Sequence, residues 1–158
     1  MTEKRHYFVT EKGLVKVQGE YSDLQKIKDL KTNGDSPATF QSEDINPDYL
    51  NFHEDLELLE TRLCELKNIL DNAEIISLPD KRDQGYVGLG ATVSLEMNGH
   101  IEELKILGTA EVDPQKHIIS NESPLGRALL GKRVGDAIAV KESIRQSFKI
   151  LKVAYEQI

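Results

Sequence analysis

The chain has 158 residues, of which 39% are apolar and 30% charged, the profile of a soluble globular protein with room for one ordinary domain or two small ones. Its net charge of −7 argues against generic nucleic-acid binding, because affinity for a phosphate backbone comes mainly from Lys and Arg displacing counterions. No apolar run reaches membrane-spanning length and the opening MTEKRHYFVTEK lacks the apolar core of a signal peptide, so the expectation is a cytoplasmic protein with no membrane attachment. The lone cysteine, Cys64, cannot form an internal disulfide and has no partner at metal-ligand spacing. His6, His53, His100 and His117 are scattered and read as surface or packing residues. The charge is unevenly spread: residues 1–77 hold 9 basic and 16 acidic residues, a balance of −7, whereas 78–158 hold 11 of each.

The first predicted element is a helix over 12–32. Thr10 caps it, and an apolar seam runs through Leu14, Val17, Tyr21 and Leu24, continuing less cleanly through Ile27 and Leu30. At 1.5 Å per residue this arm is roughly 32 Å long. Thr32-Asn33-Gly34-Asp35 followed by Ser36-Pro37 ends it, because proline disfavours helical geometry in the residue before it. Lys26, Lys28 and Lys31 near its far end read either as a solvated face or as contacts to RNA phosphate. Residues 35–48 form a tip loop, longer than most helix connections and therefore functional or mobile.

A second helix is predicted from Pro47 to about Asn72, with Asn46 as cap and Asp48 near the positive end of the dipole. Phe52, Leu56, Leu59, Leu63, Leu66, Leu70 and Ala73 alternate four and three, which is a coiled-coil seam. Neither arm can bury its seam alone, so the two form an antiparallel hairpin. Past Asn72 the period changes to two, with predicted strands at 75–76, 87–89, 91–97, 101–107, 117–119, 137–140 and 147–153. Met97-Asn98-Gly99-His100 carries the signal of a type I′ hairpin. Within 120–136, SNESPLGRALLGKRVGD, Ser123 caps a helix of barely two turns, Pro124 takes its first position and Gly131 its left-handed end. So short a helix needs a support, and Leu125, Leu129 and Leu130 are expected to lie on the sheet. The fold class is α+β: a hairpin domain over 1–77, then a mainly antiparallel sheet with one short helix over 78–158. Residues 78–158 contain only Tyr86, Phe148 and Tyr155 as aromatics, too few for the aromatic pocket of a peptidyl-prolyl isomerase. Gly85 to Gly90 lacks the spacing of a dinucleotide-binding turn.

Four elements in this order carry a resemblance: a hairpin ending Asn72-Ala73-Glu74-Ile75-Ile76, Gly90-Ala91-Thr92-Val93 opening a sheet, Ser123 through Lys132, and Val134-Gly135-Asp136. Together they resemble the GreA/GreB family of bacterial transcription elongation factors. The resemblance implies that the second domain is FKBP-like and docks on bacterial RNA polymerase at the rim of the secondary channel. The hairpin then enters the channel and brings acidic tip residues to the catalytic magnesium. The factor is not an enzyme itself and holds no cofactor alone; the polymerase would hydrolyse its own backtracked transcript. Nucleic acid is contacted through the polymerase complex, and the factor is expected to be a monomer. Docking is assigned to Ser123, Pro124, Leu125 and Arg127.

The tip departs from the family pattern, in which an Asp and a Glu three places later carry the metal role. Aligned on Asn46-Pro47-Asp48-Tyr49, those positions hold Ser42 and Ile45, neither of which binds magnesium. Aligned on Gly34-Asp35, the first acid is kept and the next, Glu43, lies eight residues on. The candidate tip acids are Asp35, Glu43, Asp44 and Asp48, with Glu43 and Asp44 the candidates for magnesium in the polymerase complex. Two functions stay open: stimulation of transcript cleavage, and occupation of the channel by a regulator that promotes none.

Overall fold

The first described element, in the segment read above as part of the hairpin domain, is a strand, β1 (Tyr7–Val9). It is followed by α1 (Glu11–Asn33), β2 (Phe40–Gln41), β3 (Asp44–Ile45), α2 (Pro47–Asp71) and β4 (Ala73–Ile75). The structure, a computed structural model, describes residues 6–34, 36–37, 40–41, 44–141 and 145–156. Asp35 and Glu43 lie outside them.

Both arms begin where their caps predict. The Thr10 hydroxyl accepts the Gly13 amide at 2.9 Å. Asn46, in extended geometry, accepts the Asp48 amide at 3.0 Å, with Pro47 at the first helical position. Three ion pairs across the arms show that they run antiparallel: Glu20 with Arg62, Lys28 with Glu60, and Lys31 with Asp55, each at 2.8 Å. Arg62 directs both Nε and a terminal nitrogen at the same Glu20 oxygen, and this hydrogen bond raises the guanidinium pKa above its usual value.

The seam of α2 falls on its predicted residues, with Leu63 and Leu66 buried. On α1 the outcome differs near the tip. Val17 is buried and Leu14, Tyr21 and Leu24 are half-buried, but the three-four rhythm then lands on Lys28 and Lys31, while Ile27 and Leu30 are 45% and 76% exposed. The reason is register: a seam that has passed through residues 14, 17, 21 and 24 continues at 28 and 31, not at 27 and 30. Across the tip, β2 and β3 pair antiparallel, Phe40 with Ile45 and Gln41 with Asp44.

After β4 come β5 (Ala91–Met97), β6 (His100–Leu107), β7 (Ile118–Ser120), α3 (Pro124–Leu129), β8 (Ala137–Lys141) and β9 (Arg145–Tyr155). They form a five-stranded sheet in the order β7-β6-β5-β9-β8. Only the β6–β7 pair is parallel. The Asn-Gly turn is as expected, with φ of 51° at Asn98 and 80° at Gly99, the positive values a type I′ turn requires. Single 3₁₀ turns at Thr109–Glu111 and Pro114–Lys116 accompany α3, so it is not the sole helical segment of this half. The predicted strand at 87–89 is absent; the Val87 amide instead donates to the Lys132 carbonyl and its own carbonyl accepts from Gly131. The sheet and α3 bury one cluster of Val87, Ala91, Val93, Leu95, Leu104, Ile106, Leu129, Ile138 and Ile150, consistent with alternating inward residues on a half-covered sheet.

The chain divides into two compact units, Leu14–Asn72 and a second made of the residues up to Gly13 with those from Ala73 onwards. This moves the segments flanking the hairpin out of the 1–77 division. The cause is pairing: β1 and β4 run parallel, Tyr7 beside Ala73 and Val9 beside Ile75, and the Ile76 amide donates to the Val9 carbonyl. The predicted strand at 75–76 therefore exists chiefly as β4, paired with β1 rather than with the five-stranded sheet.

Candidate functional site

The short helix α3 is held in place from three directions. The Ser123 hydroxyl accepts the Gly126 amide at 3.0 Å and donates to the Ser120 carbonyl at 2.7 Å. Gly126 is buried, and a Cβ there would stand 2.0 Å from the Ser120 carbonyl oxygen, so no larger residue fits without displacing backbone. Leu129 is fully buried in the core. At the far end Gly131, with φ of 77°, donates to Val87; a side chain would be strained in that left-handed conformation.

This anchoring sorts the four predicted docking residues. Ser123 is half-buried and its hydroxyl is committed within the chain. Pro124 and Arg127 are exposed, and among the described residues Arg127 has no ion-pair partner. Leu125 is half-buried and points into a hollow of about 210 Å³, lined also by Leu95, Met97, Leu104, Ile119 and Phe148, with His100 and Glu102 contributing polar groups. Phe148 is the one Phe, Tyr or Trp among its described lining residues. The site is thus an apolar recess lined by Leu125, on the same short helix as exposed Pro124 and Arg127, and suited to receiving an aliphatic side chain of a partner.

The tip offers a sparser picture. Asp48 is exposed in the first turn of α2, where a carboxylate gains from the helix dipole. Asp44 belongs to β3, and Asp35 and Glu43 fall outside the described residues. No group of three or more His, Cys, Asp or Glu poised to hold a metal ion occurs among the described residues. The three lysines near the far end of α1 resolve as ion pairs: Lys26 with Asp23, and Lys28 and Lys31 across to α2. Lys28 and Lys31 thereby join the arms rather than forming a merely solvated face. His53 packs edge-on against the Tyr49 and Phe52 rings, and Cys64 is a free, exposed thiol.

One residue escaped the sequence reading altogether. The Glu111 carboxylate accepts two hydrogen bonds of 2.6 Å from Thr10, one from its amide and one from its hydroxyl. The separation of 101 positions left no local pattern from which to find it.

Residues 82–155 match the family described as transcription elongation factor, GreA/GreB, C-terminal. The transcription elongation factor GreA of Thermomicrobium roseum is 33% identical over 84% of this chain and 86% of its own length. The GreA of Chloroflexus aggregans is 38% identical over 89% and 90%. The chain belongs to the GreA/GreB family of transcription elongation factors. The SPLG helix and the strands around it lie within the matched segment, and the matches to whole GreA proteins extend over most of both chains. Among solved structures, that of GreA factor homolog 1 (Gfh1) of Thermus thermophilus aligns with a TM-score of 0.41 at 23% identity, covering 95% of this chain and 99% of that one. No described helix of this GreA/GreB-family chain is long and apolar enough to cross a membrane.

Proposed function

We propose that this chain is a non-enzymatic, monomeric factor that docks on bacterial RNA polymerase through its sheet unit and regulates elongation by placing the hairpin in the secondary channel. The observation that carries the docking half is the apolar hollow lined by Leu125 of α3, the helix that also bears exposed Pro124 and an exposed Arg127 with no ion-pair partner among the described residues. Burial of one or two anchor side chains in such a recess supplies most of the affinity of many interfaces. Ser42 and Ile45, which take the family's tip-acid positions when the chain is aligned on Asn46-Pro47-Asp48-Tyr49, support regulation by occupancy: neither side chain supplies the carboxylate oxygen that magnesium selects.

A second reading has its own support. The sequence retains Asp35, Glu43, Asp44 and Asp48 around the tip, and β3 brings Asp44 directly after the residues joining it to β2. In the polymerase complex Glu43 and Asp44 would help hold magnesium and orient water for hydrolysis of a backtracked transcript. The metal is then the polymerase's own, and nucleic acid is met only through that enzyme.

Replacing both Pro124 and Leu125 with Asp is expected to weaken polymerase binding at least tenfold while the helical signal of the arms is retained. Unchanged affinity in the folded double variant refutes docking at this face. Transcript cleavage on backtracked complexes separates the two readings: binding without cleavage establishes regulation by occupancy. Cleavage that disappears in Glu43→Ala with Asp44→Ala, binding being retained, establishes the assisting role.

A further inference from the structure

We infer that Glu111 is a positioning residue that anchors the root of α1, and that the effect on elongation depends on this anchor separately from docking. The functional half of this inference rests on the reading proposed above; the anchor itself does not. The start of an α-helix leaves amide groups without intrahelical acceptors, and a local hydroxyl cap ordinarily meets part of that need. Thr10 already provides such a cap by accepting the Gly13 amide. The carboxylate of Glu111 is therefore not needed merely to start the helix. It reaches from a 3₁₀ turn 101 positions away and takes both donors of Thr10, amide and hydroxyl, at 2.6 Å each. Thr10 is only 5% exposed, and ionised acceptors in such surroundings make stronger hydrogen bonds than neutral ones.

Two glycines are shaped to the same contact. A Cβ on Gly13 would lie 2.1 Å from the Glu111 carboxyl carbon, so any side chain there expels the carboxylate from its seat. Gly108, whose carbonyl accepts the Glu111 amide at 3.1 Å, lies so close to β1 that a Cβ would stand 1.7 Å from the Phe8 carbonyl oxygen. Thr10, Gly13, Gly108 and Glu111 thus serve one junction, which ties the first turn of α1 to the 3₁₀ turn after β6. All four residues belong to one compact unit, and α1 runs on unbroken from this first turn into the arm that begins at Leu14. Loss of the anchor frays the first turn of α1 and so shortens the helix that carries the tip, since α1 is continuous from Glu11 to Asn33.

The test compares Glu111→Ala, Glu111→Gln and Gly13→Ala with the wild type. Amide hydrogen exchange at Thr10 is expected to accelerate at least tenfold in Glu111→Ala and in Gly13→Ala, and less in Glu111→Gln, which keeps one acceptor oxygen. Affinity for polymerase should stay within twofold, while the effect on elongation falls at least fivefold in the same order of variants. Unaltered Thr10 exchange in the folded variants overturns the anchor whatever the polymerase assays show. Faster exchange with normal binding and an undiminished effect on elongation overturns its functional role. If the wild type itself fails to bind polymerase, the functional half falls with the reading it rests on, and the exchange measurement still decides the anchor. Should Glu111→Ala fail to fold, Glu111→Gln and Gly13→Ala carry the test.

Discussion

The two ends of the hairpin are built on different physics. Nearer the root, Val17, Leu63 and Leu66 are buried, and association there rests on removing apolar surface from water. Nearer the tip the seam positions of α1 are lysines, paired with Glu60 and Asp55, and the apolar Ile27 and Leu30 face outwards. The lysine side chains are about one-third exposed and their acidic partners more than half, so solvent screens both pairs and each contributes little. One element therefore combines an apolar base with a region nearer the tip whose α1 seam positions are filled by exposed ion pairs. Periodicity alone does not make a helical hairpin uniform.

The contrast can be tested from its largest expected effect downwards. Leu66, 1% exposed, should lose about 2–5 kcal/mol on replacement by Ala, the range for truncating a buried leucine, read as a lowered midpoint in urea unfolding. A loss below ~1 kcal/mol would show that the base is no firmer than the tip. Next, a double-mutant cycle on Lys31→Ala and Asp55→Ala should return a coupling of about 0.2–1 kcal/mol, shrinking as salt is raised towards molar concentration. A coupling above ~2 kcal/mol that salt does not change would mean the pair is effectively buried. Smallest of all, Leu30→Gln should shift stability by less than about 0.5 kcal/mol, as exposed substitutions usually do. A larger destabilisation would place Leu30 in the seam after all.

What the sequence disclosed follows from the same division. The seam of α2, its Asn46 start, the Asn98-Gly99 turn and the Ser-Pro entry to α3 all rest on signals within a few residues, and each appears where predicted. Lys28 and Lys31 were legible as charges but not as seam residues, because apolar Ile27 and Leu30 nearby suggested a drifting register. β1 is three residues long, too short to show any period, and exists because β4 lies beside it. Glu111 could not be read as an anchor for a related reason, since its partner is distant in sequence. Of the four docking candidates, the chemistry of Ser123 was legible as a cap, and its hydroxyl is spent on that task. The tip acids could be named but not arranged, since neither alignment restores the family spacing and Asp35 and Glu43 lie outside the described residues.

The parallel pairing of β1 with β4 also bears on the order of folding. Between Val9 and Ala73 lie the 63 residues 10–72, and bringing the ends of so long a disordered loop together costs conformational entropy that grows with the logarithm of its length. A hairpin already zipped from its tip or middle shortens that loop to the few residues at its root, so the closure that seats β1 costs far less. The hairpin thus serves as a strap for chain closure, coupling assembly of a three-residue strand to coiled-coil formation. Contacts of high sequence separation form slowly when they must be reached by an open chain, and here the intervening segment supplies the short cut.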